Sequence, residues 1–79
     1  MSNRLETAIK ASAAEARLTK QKIQKELKQR MEGLIQQIEN DRLWISDLKE
    51  LHNHVAEAVA KVAVADEKIK TEELFKALQ

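Results

Sequence analysis

The stretch Leu34-Ile35-Gln36-Gln37-Ile38-Glu39-Asn40-Asp41-Arg42-Leu43-Trp44-Ile45-Ser46-Asp47-Leu48 decides the fold. Apolar residues recur at helical intervals on both sides of it, with Asn40 and Asp41 in between. Those two residues favour turns and helix N-caps over helix interiors, because their short side chains compete for backbone hydrogen bonds. A break there folds the chain back as an antiparallel helical hairpin. Without it, one helix of about 70 residues pairs with its own copy in a parallel coiled coil. The two forms differ in length, about 55 Å against about 105 Å at 1.5 Å per residue.

Outward from that stretch the apolar residues keep one heptad register. With Met31, Ile38, Ile45, His52, Val59 and Asp66 at a, the d positions are Leu27, Leu34, Asp41, Leu48, Val55, Val62 and Ile69. Only Asp41, His52 and Asp66 depart from apolar character. The flanks carry more: Trp44, Leu51, Ala58 and Ala65 at g, and Ile35, Ala56 and Ala63 at e. A two-stranded seam wants charge at e and g. A stripe this wide suits a bundle of three or more helices. The pattern therefore predicts an all-α hairpin, coiled-coil-like, completed into a four-helix bundle by a second copy. The continuous helix is the alternative, since the heptad phase crosses Asn40-Asp41 undisturbed.

The expected elements are a helix over about 3–39, a turn near 40–41, a helix over about 42–70 and a short helix over about 71–78, in one domain spanning 1–79. The short helix rests on Thr71 as an N-cap with Glu72 and Glu73 after it, and on the cluster Leu74, Phe75 and Leu78. Asp41 and Asp66, at core-type slots, read as places where a helix ends. Trp44 is expected to pack into the bundle end, and Gly33 is a second turn candidate. The candidate helix–helix interface is Leu27, Met31, Leu34, Ile38, Trp44, Ile45, Leu48, Leu51, Val55, Val59, Val62 and Ile69.

Composition supports helices. The chain has no Pro, one Gly, one Phe, one Trp and no Tyr, too little turn and strand chemistry for a β-fold. Without Cys there are no disulfides or thiolate metal sites. No run approaches the roughly 20 apolar residues of a membrane span. The start Met1-Ser2-Asn3-Arg4-Leu5-Glu6 does not read as a secretion signal. A cytoplasmic protein without membrane contact is expected.

Charged residues make up 34% of the chain, yet the net charge is +1. The two signs are segregated. Arg17, Lys20, Lys22, Lys25, Lys28 and Arg30 against Glu26 give +5 over 17–30, and the next segment, 31–58, carries −4. A turn at 40–41 places Glu50 near Arg30, and Glu57 near Lys22 and Lys25. The basic run is the candidate contact for nucleic acid or an acidic partner, with affinity set by counterion release. It lacks aromatic side chains for base stacking, which disfavours single strands. Otherwise it is a solvated face partly paired with acids.

Little else carries chemistry. Ser2, Ser12 and Ser46 have no glycine elbow, and no phosphate-cradling loop exists. Glu50, His54 and Glu57 share a helix face, at spacings that also serve ordinary surface pairing, and a structural metal site normally takes four ligands. His52 at an a position reads as a polar residue that fixes register, and its functional version is a pH-responsive bundle. No catalytic role, metal or cofactor is expected.

The segment Leu51-His52-Asn53-His54-Val55-Ala56-Glu57 resembles part of the second helix of the Rop family of plasmid RNA-modulating proteins. That resemblance implies a hairpin dimerising into a four-helix bundle and a nucleic-acid partner. WXG secreted proteins also carry a mid-hairpin Trp, but Trp44-Ile45-Ser46 lacks their glycine. The expected function is a non-catalytic protein–protein interaction module: a small adaptor, inhibitor or regulator that forms a homodimer and binds another protein through a helix face. A nucleic-acid-binding accessory protein using residues 17–30 is the alternative.

Overall fold

The computed structural model describes residues 2–79, with side chains from Arg4 onward, so Met1 of the expected domain lies outside the described residues. Two helices, α1 (Ser2–Glu39) and α2 (Ile45–Ala77), pack against each other. The chain is a helical hairpin with no strand among the described residues. It measures 60 × 17 × 16 Å. The long dimension is that of a folded-back chain.

The break falls where the polar pair predicts it, and its geometry explains the choice. The Arg42 N–H donates to the Gln37 carbonyl at 2.8 Å and the Asp41 N–H to that of Ile38 at 3.1 Å. Asp41 itself stands at φ 57. A six-to-one bond enclosing a five-to-two bond, with a left-handed residue between, is the Schellman ending of a helix. Asp tolerates that conformation better than most non-glycine residues. Gly33 lies inside α1, so the chain does not turn there.

α2 starts three residues later than the sequence pattern suggests, because Trp44 is extended (φ −113, ψ 149). The indole has no acceptor to cap the helix. Asp47 supplies the other half of a capping arrangement, its carboxylate accepting from the Trp44 N–H at 3.2 Å. At the far end, the separate C-terminal helix does not form. α2 runs unbroken through residues 70–71 to Ala77. Thr71 does not cap, because its hydroxyl donates to the Glu67 carbonyl one turn back, at 2.9 Å.

The seam is built from small residues. Ala13, Ala16, Ile23 and Ala65 are buried, and Glu72 is buried with them. Alanine permits close approach of the two backbones, and all five lie toward the open end of the hairpin. Toward the turn the seam continues with half-buried Leu27, Leu34, Leu51, His54 and Ala58.

A five-residue link, 40–44, replaces the expected two-residue turn and shifts the pairing. Arg17 meets Glu72 and Lys20 meets Asp66, each at 2.6 Å. Asp66 therefore marks an interhelix ion pair in mid-helix and not a helix end. Glu57 makes no ion pair with Lys22 or Lys25 among the described residues; it shares a groove with Glu26, Arg30 and Lys61. Arg30 and Glu50 do line one groove, beside Gly33 and Leu51.

Candidate helix-docking face

The interface residues read from the sequence separate into two groups. Leu27, Leu34, Leu51, Val62 and Ile69 are half-buried along the seam. Met31, Ile38, Trp44, Ile45, Leu48, Val55 and Val59 are exposed, as is Ile35. Trp44 does not pack into the end of this hairpin, since 68% of it is open. The reason is geometric. α2 turns its g and c positions (Leu51, His54, Ala58, Ala65, Glu72) toward α1, which leaves its a positions outside.

The exposed residues lie together on one side. Gly33 of α1 and Glu50 of α2 line the same groove. Met31 and Leu48 each precede one of them by two residues, a rotation of about 200°. They therefore lie on the opposite side, also together. Val55 stands likewise opposite Glu57, whose groove includes Glu26 of α1. Ile38, Ile45 and Val59 extend this face one or two turns in either direction. His52 sits in the middle of its α2 half and is exposed.

Toward the open end the same face turns ionic. Asp66 lies two turns beyond Val59, and Arg17 lies four turns before Met31. Here Arg17–Glu72 and Lys20–Asp66 bridge the helices. Glu72 is only 4% exposed. The hydrogen bond from Arg17 holds its carboxyl below the usual range, outweighing the opposing effect of burial, with Lys76 adding to it from 3.6 Å. Near the start of α1, Glu6 at 2.9 Å raises Lys10 above its ordinary value.

Of the basic run, Arg17 and Lys20 are committed to these bridges. Lys22, Lys25 and Lys28 are exposed and make no ion pair among the described residues. Arg30 borders both grooves near the acids. His54 Nε2 lies 3.8 Å from Glu50 Oε1, and no group of three His, Cys, Asp or Glu gathers among the described residues. No helix among them is long and apolar enough to cross a membrane.

The interface read from the sequence does not include Ala13, Ala16, Ala65 or Glu72, although the alanines follow the helical spacing. Ala13, Ala16 and Ala65 carry little hydrophobic signal, and Glu72 carries none. The four-to-three spacing of Ile9, Ala13, Ala16 and Ile23 is the available clue. Comparison with protein-family models, with curated proteins and with solved structures finds no match to this chain.

Proposed function

We propose that the chain is a non-catalytic interaction module that docks helices, those of a second copy or of another protein, on the face formed by Met31, Ile38, Leu48 and Val55. One observation carries this reading. The hairpin leaves large apolar side chains exposed side by side on both helices, Met31 at 54% on α1 and Ile45 at 72% on α2, while it buries little more than alanine. Soluble chains rarely leave a contiguous apolar patch uncovered unless it binds something. A seam of alanines also stabilises a two-helix unit weakly, so docking would complete the core. Binding by occupation or tethering suits an adaptor, inhibitor or regulator.

The test is a paired capture from the native host. The double variant Leu48→Glu/Val55→Glu should lose captured proteins, its own tagged copy included, by at least about tenfold, as expected from removing two buried side chains of roughly 1.5–3 kcal/mol each. Glu57→Lys, on the opposite side, should retain them. Equal capture by both variants rejects the reading.

A second reading is supported by Lys22, Lys25 and Lys28, which lie on the outer surface of α1 and make no ion pair among the described residues. Contacts to nucleic-acid phosphates there would give a log–log salt slope of roughly −3 on duplex DNA. Substituting all three with Glu should remove binding. Absence of binding by the unmodified chain at about 50 mM salt rules this reading out.

A further inference from the structure

We infer that the occupant of the apolar face is a second copy of this chain, docked antiparallel so that the two turns point in opposite directions and the two-fold axis passes beside His52. This rests on the reading of that face as a docking surface, and adds its partner and orientation.

The first argument is the symmetry of the face. On α2, Ile45 and Val59 lie seven residues either side of His52, with Leu48 four before it and Val55 three after. On α1 the exposed Met31 and Ile38 mirror Leu34 and Leu27, half-buried at the seam edge of the same stripe, about the midpoint between residues 32 and 33. The hairpin places these two centres at the same height, because Gly33 lines one groove with Leu51 and His54. A two-fold axis perpendicular to the helices interchanges residues before and after its centre. Both stripes therefore fall on themselves under a single axis. Ile45 then meets the partner's Val59, and Leu48 the partner's Val55. His52 meets its own copy.

The second argument is extent. With the axis at that height, each turn reaches about 13 Å past the centre, at 1.5 Å per residue. The overlap covers roughly residues 24–41 and 44–61. On α2 the exposed apolar face, Ile45 to Val59, occupies nearly the same span, and on α1 its exposed part, Met31 to Ile38, lies within the overlap; beyond it the stripe turns ionic at Arg17 and Asp66. On α2 the face is apolar where the second copy covers it and turns charged beyond, at Asp66.

The third argument is charge. The tip carries Glu39, Asp41 and Asp47 against Arg42. A dimer with both turns at one end brings two acidic tips together. The opposed arrangement sets each tip near the partner's Lys25 and Lys28, and like charges in contact disfavour the first by steering and by energy. Trp44, at the tip, lies at the height of the partner's residue 60, between the exposed Ala56 and Ala63.

The test uses the full chain. Its mass by light scattering should be twice 9.0 kDa. Emission of Trp44, the chain's one tryptophan, should shift to the blue as concentration rises. His52→Cys should give a disulfide-linked dimer under mild oxidation. Asn40→Cys, at positions about 23 Å apart along the axis in this arrangement, should not. Leu48→Glu should weaken association at least about a hundredfold while the hairpin stays helical by circular dichroism. A monomer at about 100 μM, a higher oligomer, or crosslinking by Asn40→Cys in place of His52→Cys overturns the inference. A monomer that still captures another protein through this face leaves the docking function standing and rejects only the second copy.

Discussion

At the scale of single residues, Asp41 is where the chain departs most from what its side chain prefers. Its φ of 57 is a conformation that costs an L-residue about 1 kcal/mol and glycine almost nothing. Asp41→Gly should therefore raise stability by about 0.5–1 kcal/mol, and Asp41→Val should lower it by more than 1 kcal/mol. Urea unfolding at one fixed protein concentration checks both, since an associating chain gains stability with concentration. Glu72 makes a second residue-scale prediction. Its carboxyl is held low in the folded state by Arg17, so the stability it contributes is present above the unfolded carboxyl's value, about pH 4.5. That stability is lost as pH falls below this value. Glu72→Gln should flatten the acid limb of a stability–pH profile below about pH 5. An unchanged limb would show that the pair has no such role.

At the scale of elements, the closeness of the two helices depends on alanine at the seam. Ala13 is wholly buried and Ala65 nearly so. A larger side chain there must push the backbones apart or leave its rotamer. Ala65→Leu should cost about 1–3 kcal/mol by thermal unfolding, and a neutral result would mean the helices can separate freely. Gly33 gives the opposite prediction. It lies inside α1, and a methyl group added to it meets nothing within 4 Å. Gly33→Ala should stabilise by about 0.5–1 kcal/mol through helix propensity alone. The α2 start shows how an element boundary escapes composition. Trp44 has no capping acceptor, yet the helix begins after it because Asp47 bonds back to its N–H.

For the whole molecule the measurable consequence is length. One hairpin is 60 Å long. Two copies overlapping only through their turn halves would extend to about 90 Å, at 1.5 Å of rise per residue. Two copies with turns at one end would stay near the length of a single hairpin. The maximum dimension from small-angle scattering separates these arrangements. It is independent of the crosslinking chemistry and of any substitution.

The helical class, the break at Asn40-Asp41 and the width of the apolar stripe were all legible in the sequence. They arise from local causes: helix-forming composition, turn chemistry in two adjacent residues, and a period of three to four that each helix repeats. The sequence could not say which part of that wide stripe the hairpin would use for itself. That choice depends on how far one helix rotates against the other, and the rotation follows from the length of the link and from how closely the backbones can approach. Five residues between the helices, not two, moved the pairing to Arg17–Glu72 and Lys20–Asp66. Alanines weak in hydrophobic signal took the seam, because small side chains let the helices come closest. The stronger apolar residues, from Met31 to Val59, were thereby left on the surface. Only the tertiary structure could decide this, because it is a competition between two faces of the same helices for a single partner.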